Sequence, residues 1–123
     1  MTQHAVETAT PAEQDAVVAT LTLAFATDPA TRWTWPEPKA FLAAFPRFAM
    51  AFGGAAFARG TAHRIGFAAA ALWLPPGATS DDMAIMTLMM ETAHEQTAVD
   101  GPRVMQAMES HHPKGPHWYL PLI

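Results

Sequence analysis

The chain has 123 residues, of which 50% are hydrophobic and 15% charged, and it contains no cysteine. This length supports one hydrophobic core, so we expect a single domain over residues 1–123. The lack of cysteine excludes disulfides, thiolate metal sites and cysteine nucleophiles. The net charge of −4, with scattered Lys and Arg, argues against a nucleic-acid partner.

The sequence contains no recognisable signal peptide and no apolar run long enough to span a membrane. The first residues lack the basic and apolar regions of a signal peptide. The longest unbroken apolar run, residues 65–74, is too short to span a bilayer. We therefore expect a cytoplasmic protein that does not contact a membrane.

A short strand over residues 5–9 and a helix after it are the first predicted elements. The helix begins at a capping box, in which Thr10 and Glu13 can exchange hydrogen bonds and Pro11 suits the first helical position. Apolar residues at helical spacing continue it to Asp28, where an Asp-Pro pair predicts its end. The chain thus opens with a strand followed by a helix.

Residues 28–38 contain three prolines and are predicted as a loop, which holds Trp33 and Trp35 outside regular structure. Two interpretations remain open for these indoles. They can cover the core with their N–H groups near solvent, or they can face a substrate.

A helix with one aromatic stripe is predicted from Lys39 to the glycine pair at 53–54. Its stripe consists of Phe41, Phe45, Phe48 and Phe52. Pro46 lacks an N–H, so the helix should kink there or restart as two pieces. The spacing favours core packing, while a grip on an acyl chain or a partner helix is the alternative.

Residues 55–61 and 65–74 form two apolar runs around a polar tip at 62–64, which predicts an antiparallel hairpin. The second run has no polar alternation, as is typical of a strand buried on both faces. Its alanines also permit a helix, but Gly66 at its start and the Pro-Pro-Gly segment after it favour a strand.

A Thr-Ser-Asp-Asp segment at residues 79–82 predicts the start of another helix, because its side chains cap N–H groups and its acids favour the positive end of the dipole. Met83, Met86, Met90 and Ala93 fall on one face, and Ile85 and Met89 widen this stripe. The stripe is predicted to pack on the sheet; the alternative is an adaptable binding surface. A further helix is predicted over residues 103–109, before a loop at 111–116.

The last segment reads as an apolar strand. A period of two places His117, Tyr119, Pro121 and Ile123 on one face and Trp118, Leu120 and Leu122 on the other. Pro121 cannot donate to a ladder, so it marks either a bulge or the end of the strand.

Motifs for several chemistries are missing from the sequence. His111, His112 and His117 do not have the spacing of ligands on one helix face, and no acid or cysteine completes a set, so we expect no metal. Neither serine lies in a Gly-x-Ser-x-Gly turn, and no phosphate-binding Gly-rich loop is present.

Two strings carry a family resemblance. Residues 70–77, Ala-Ala-Leu-Trp-Leu-Pro-Pro-Gly, and residues 116–123, Pro-His-Trp-Tyr-Leu-Pro-Leu-Ile, resemble the middle of the GNAT superfamily of acetyl-CoA-dependent N-acetyltransferases. The resemblance covers the whole chain as the N-terminal half of that fold. It implies an α/β (α+β) architecture with an incomplete mixed sheet of about four strands and three to four helices.

The resemblance also implies a site. Residues 118–123 correspond to the fourth strand, where the main chain of Leu120, Leu122 and Ile123 would hold acetyl-CoA. That strand leads, in the family, into a pyrophosphate-binding loop of the type Gln/Arg-x-x-Gly-x-Gly/Ala. None of the seven glycines here has Gln or Arg three residues before it, so we expect this chain alone to be inactive.

The remaining site residues follow from the same comparison. His117 and Tyr119 are the candidates for the general base, because histidine and tyrosine side chains can exchange protons with a substrate. Trp33, Trp35 and Trp73 are the candidates for shaping a pocket for the acceptor, a small-molecule or peptide amine. The sequence does not identify that amine.

A different class of function is also consistent with the last strand. An apolar strand that ends the chain presents unpaired backbone groups, so the chain can be a non-catalytic module that completes its sheet with a second copy or another protein. This interpretation predicts a homodimer or association through the strand edge.

Overall fold

The structure is a computed structural model that describes residues 5–123. Its strands are β1 (Glu7–Thr8), β2 (Ala62–Ile65), β3 (Ala69–Leu74) and β4 (Tyr119–Leu122). Its helices are α1 (Gln14–Ala24), α2 (Pro29–Thr34), α3 (Pro38–Gly53), α4 (Ala55–Arg59), α5 (Asp82–Thr92) and α6 (Glu95–Glu109). A 3₁₀ turn, Pro11–Glu13, precedes α1.

The four strands form one sheet in the order β1-β2-β3-β4. This confirms the predicted α+β class and the number of strands, whereas the described residues form six α-helices and not the three to four that were predicted. All three pairings in the described part of the chain are antiparallel. The prediction of a mixed sheet is therefore wrong for these residues. Each strand lies beside the next one in the chain and runs in the opposite direction to it, whether the connection is a tight turn or a set of helices.

The polar network around Arg64 joins the first strand to the rest of the fold. The guanidinium lies 2.7 Å from the Glu7 carboxylate and 2.9 Å from that of Glu13. The backbone N–H of Thr10 donates to Glu13 at 2.9 Å, which is one half of the predicted capping box. Because β1 spans only Glu7–Thr8, these contacts supplement a very short ladder.

Residues 29–34 are helical, so the loop predicted for residues 28–38 is wrong in its first half. The Asp28 side chain accepts from the Thr31 backbone N–H at 2.9 Å, and Pro29 occupies the first helical position. An Asp-Pro pair both ends one helix and caps the next. Only the first of these roles, the end of a helix, was predicted.

The aromatic stripe on α3 packs in the core, as predicted. Phe41 and Phe45 are buried, Phe48 and Phe52 are partly buried, and neighbouring rings along the stripe lie 5.2–6.0 Å apart. The helix is continuous through Pro46 and ends at the predicted glycine pair, so the restart as two pieces is wrong.

The predicted hairpin is present but shifted along the chain. Residues 55–59 form α4, which ends at Gly60 in the left-handed conformation with φ 71°. The hairpin joins β2 to β3 through a turn at 66–68, with Ala62 opposite Leu72. Alanine-rich residues after the glycine pair favour helix over strand, and Gly60 provides the left-handed cap that ends it.

Only one face of β3 is deeply buried. Ala70, Leu72 and Leu74 are at most 8% exposed, while Ala71 and Trp73 between them are half-buried. Helices α1, α3 and α4 pack against β3. The prediction of a strand buried on both faces is therefore wrong within the described residues: an unbroken apolar run does not by itself show that both faces are covered.

Helix α5 packs inward with only part of the predicted apolar face. Leu88 is buried and Ile85 and Met89 are partly buried, whereas Met83, Met86 and Met90 are 74%, 60% and 83% exposed. The helix carries two apolar stripes, and the one that includes Leu88 packs inward. The predicted inward packing therefore holds for Ile85 and Met89 and is wrong for Met83, Met86 and Met90.

Helix α6 is longer than predicted, since it runs through Gly101 and Pro102 without interruption. The His94 side chain accepts from the Gln96 N–H at its start, and the buried Thr97 donates to the Trp33 carbonyl at 2.8 Å. The C-terminal part, from Pro102 onward, is exposed. Proline and glycine here do not end the helix.

One helical segment, Pro38–Arg59, is long and apolar enough by composition to cross a membrane. It comprises α3 and α4, which carry the buried aromatic side chains of the core. The core helices of globular proteins pass the same test.

Candidate functional site

Strand β4 lies at one end of the described sheet order and contains a register shift. Leu122 pairs with Leu72 and Tyr119 with Leu74, so β4 has one more residue than β3 between the same two pairs. An extra residue on one strand is a β-bulge. Pro121 lies within it, so of the two alternatives left open for this proline, a bulge or the end of the strand, the structure has the bulge.

The bulge changes which side chains share a face. Directly paired residues point to the same side of a sheet, and Leu72 and Leu74 both point into the core. Leu122, at 3% exposure, and the partly buried Tyr119 therefore face the core as well. Their predicted placement on opposite faces is wrong, because a strict period of two does not hold across a bulge.

The end of α3 packs directly on this bulge. A Cβ placed on Gly53 would lie 2.9 Å from Leu72 Cδ1 and 3.4 Å from Pro121 Cγ. Only a residue without a side chain permits this approach. The glycine pair that ends the helix therefore also sets the distance between α3 and the two strands.

Tyr119 begins β4 and lies between two rings. Its centroid is 6.0 Å from Phe52 and 5.2 Å from His112, in both cases edge to face. Burial raises the pKa of the Tyr119 hydroxyl above its ordinary value of 10.0. The side chain is therefore protonated at neutral pH, where it can donate a hydrogen bond. It could act as a base only after losing this proton.

His117 lies just before the strand and is half-buried. Its Nδ1 is 2.8 Å from the Gly115 carbonyl oxygen, and its ring centroid is 6.3 Å from that of His112. A carbonyl can only accept, so this contact assigns the proton to Nδ1. In the neutral form of the ring, Nε2 then carries the lone pair that can accept a proton from a substrate.

The structure thus brings together His112, His117 and Tyr119, which we call the His–Tyr cluster. His117 and Tyr119 are predicted site residues, whereas His112 was considered only as a metal ligand and rejected in that role. The close spacing of histidines at 112 and 117 with a tyrosine at 119 was the available signal. Among the described residues no group of three or more His, Cys, Asp or Glu is arranged to hold a metal ion.

An open apolar depression lies beside the His–Tyr cluster. Its lining residues come from the end of α6 and the loop after it: Val104, Ala107, Met108, His111, His112 and Pro113. His112 belongs to both features. His111 is turned back to its own helix, where its Nδ1 lies 2.9 Å from the Ala107 carbonyl oxygen.

The three predicted pocket tryptophans are not brought together. Trp35 is 1% exposed, and its Nε1 donates to Thr92 Oγ1 at 2.9 Å, so it follows the core-covering interpretation. Trp33 is 44% exposed on α2. Trp73 lies on the less covered face of the sheet, where it lines a shallow depression with His63 and Trp118.

The three residues predicted to offer main-chain groups differ in exposure. Leu122 is buried, Leu120 is half-buried and Ile123 is 71% exposed. Within the described sheet, β4 pairs with β3 alone, so its other edge has no strand partner. An edge without a strand partner has backbone N–H and C=O groups that can pair with an extended ligand.

Comparison of the chain with protein-family models, with curated proteins and with solved structures gave no match.

Proposed function

We propose that this chain is the N-terminal half of a GNAT-type N-acetyltransferase, the half that receives the acyl end of acetyl-CoA and a small-molecule or peptide amine. The observation that carries the proposal is the bulged edge strand β4, with the His–Tyr cluster at its start. The order of the elements supports it: a strand, helices, a hairpin, helices and a final strand.

Strand β4 supplies the means of binding the pantetheine arm. An unpaired strand edge presents alternating N–H and C=O groups, which match the two amides of pantetheine as they would match another strand. The main-chain groups of Leu120, Leu122 and Ile123 are the proposed partners. The bulge at Pro121 disturbs the regular ladder where the thioester would lie.

The His–Tyr cluster supplies proton transfer. The amine nitrogen attacks the thioester carbon, the C–S bond breaks, and the products are an amide and a thiol. His117 Nε2 is suited to accept the proton lost from the amine, and the protonated Tyr119 hydroxyl is suited to donate to the departing sulfur. Burial raises the pKa of the Tyr119 hydroxyl, so the group stays protonated at neutral pH and can donate a hydrogen bond to the sulfur.

These 123 residues contain no Gln/Arg-x-x-Gly segment to hold the pyrophosphate. We therefore expect the chain alone to bind the acyl-pantetheine part of the cofactor weakly and to be catalytically inactive. A Kd on the order of 1 mM corresponds to about −4 kcal/mol, which a few main-chain hydrogen bonds can provide.

The test is an NMR titration of the isotopically labelled chain with S-acetylpantetheine, which lacks the nucleotide and pyrophosphate. Amide shifts should concentrate at residues 119–123 and saturate in the millimolar range. Acetyl-CoA should bind no more than a few times more tightly. Shifts spread over other elements, or none at 10 mM ligand, would contradict the proposal.

A matched pair of variants at Ile123 isolates the main-chain contribution. Ile123→Pro removes a backbone N–H and Ile123→Ala keeps it, while both remove an exposed side chain. We expect the proline variant to weaken binding several-fold and the alanine variant to leave it unchanged. Equal effects would mean that this amide is not a ligand.

A second candidate function is a non-catalytic module that completes its sheet through β4. The observation in its favour is the open edge of β4, flanked by the exposed Trp118 and Ile123 at 56% and 71%. Light scattering distinguishes it from the first: a stable dimer that Ile123→Pro dissociates supports edge pairing. A monomer that binds S-acetylpantetheine supports the acetyltransferase proposal.

A further inference from the structure

The outer face of α5 carries three exposed methionines, which we call the Met stripe. Met83, Met86 and Met90 are 74%, 60% and 83% exposed. They lie at i, i+3 and i+7, so they form one line of about 10 Å along the helix. The residues that fix α5 to the core are on its other side, so the stripe is not needed for packing.

A line of exposed thioethers is suited to binding. Methionine is flexible and polarizable, so it adapts to apolar partners of different shape. Contiguous exposed apolar side chains on a folded domain mark interaction sites more often than isolated ones do. The Met stripe is therefore a candidate contact surface, distinct from the His–Tyr cluster.

The charged residues of α5 itself, which carries the Met stripe, are all acidic. Asp81 and Asp82 stand at its N-terminal end, and Glu91 and Glu95 follow it. The sequence has no Lys or Arg between Arg64 and Arg103. One basic side chain reaches this region from α3: Arg47 lies 3.4 Å from Glu91, with both side chains more than half exposed. Such an exposed pair is weak and leaves the region acidic.

We propose that the Met stripe binds an amphipathic helix of a partner protein whose polar face is basic. Leucine or aromatic side chains of that helix would pack on the methionines, and its Lys or Arg residues would meet the acids at both ends. This combination of apolar contact and opposite charge selects the partner.

The same charges disfavour the other occupants. In a symmetric dimer through this face, each copy would place its acids against the acids of the other. An anionic bilayer would repel them as well. A basic helix is the occupant that gains from both the apolar stripe and its flanks.

The test uses a fluorescein-labelled peptide, Leu-Lys-Lys-Leu-Leu-Lys-Leu-Leu-Lys-Lys-Leu-Leu-Lys-Leu, and fluorescence anisotropy with the full chain. A second peptide with Glu in place of every Lys is the charge control. We expect the Lys peptide to bind with a Kd in the micromolar range and the Glu peptide to bind at least tenfold more weakly.

Variants of the chain locate the binding. The double variant Met86→Gln/Met90→Gln should weaken binding of the Lys peptide at least tenfold, because it removes apolar contact without changing charge. Leu23→Gln, at a residue 80% exposed on α1, is the matched control and should leave binding unchanged. Circular dichroism confirms that both variants remain folded.

Three results would overturn the proposal. The first is equal binding of the Lys peptide by the double variant and the control variant. The second is binding of the Glu peptide as tight as that of the Lys peptide. The third is a dimer of the chain that Met86→Gln/Met90→Gln dissociates, since the occupant would then be a second copy.

Discussion

Alanine at Gly53 should destabilise the fold, although glycine is a poor helix former. Gly53 lies in the last turn of α3, where alanine gains about 0.5–1 kcal/mol over glycine by propensity. The added Cβ would lie 2.9 Å from Leu72 Cδ1 and 3.1 Å from Leu72 Cβ. Leu72 is fully buried and cannot move away without displacing its neighbours.

The balance of these two effects gives the expected magnitude. Overpacking of a filled core costs about 1–3 kcal/mol, so we expect a net loss of about 1 kcal/mol, or about 4 °C in Tm. Because Pro121 Cγ would be only 3.4 Å from the new Cβ, the amide shifts at the β4 bulge should change as well. A local effect on the bulge would link α3 to the candidate site.

Gly101→Ala is the matched control, since Gly101 is also inside a helix but, apart from its chain neighbours and the backbone of its own helix, no atom lies within 4 Å of the added Cβ. Alanine has the higher helix propensity, but Pro102 disfavours a helical conformation of the residue before it and so offsets part of this gain. We therefore expect Gly101→Ala to raise the free energy of unfolding by no more than about 0.5 kcal/mol. Urea unfolding followed by tryptophan fluorescence measures both variants. If Gly53→Ala stabilised the protein, the close approach of α3 to β3 would be wrong.

Three further outcomes are expected. Phe45→Ala, in the centre of the aromatic stripe, should lower the free energy of unfolding measured in urea by about 4 kcal/mol. Leu42→Ala, on the exposed side of α3, should change it by no more than about 0.5 kcal/mol. Equal losses would contradict the placement of the aromatic stripe in the core. The hydrogen bond from the Thr10 N–H lowers the pKa of Glu13 below 4.5, so the carboxylate stabilises the fold above pH 4.5 and this stabilisation is lost as the pH falls below that value. The variant Glu13→Gln should therefore lose less stability on acidification than the unmodified chain. An equal loss of stability in both would contradict this role of Glu13. The only tyrosine, Tyr119, should titrate above pH 10.0 in the folded chain by ultraviolet absorbance, and stability should fall as pH rises past 10.0; a midpoint at or below that value would show that the ring is not buried.

Much of the architecture could be predicted because its signals are local. Capping at Thr10, the aromatic stripe centred on Phe45 and the glycine pair that ends α3 each depend on residues within one or two turns. Such patterns reflect side-chain geometry within a single element. They remain valid whatever the rest of the chain does.

The incorrect or missing predictions concern features that depend on tertiary contacts. Helix α5 has two apolar stripes, and only contact with α3 decides that Leu88, and not Met86, faces inward. The sequence indicates that a bulge can occur at Pro121 but not that the extra residue places Tyr119 and Leu122 on one face. Likewise, nothing local places His112 beside Tyr119, which is why the sequence did not assign His112 to the candidate site.

The two apolar faces of α5 also make the helix a chemical reporter of its own packing. Peroxide oxidises accessible thioethers to sulfoxides, so Met83, Met86 and Met90 should react before the partly buried Met89 that lies among them in sequence. Trypsin cleaves after Arg64 and Arg103 and nowhere between, so all four sulfurs fall in one peptide. The oxidation pattern of that single peptide would reveal by mass spectrometry whether α5 is docked, and whether a partner covers its outer side.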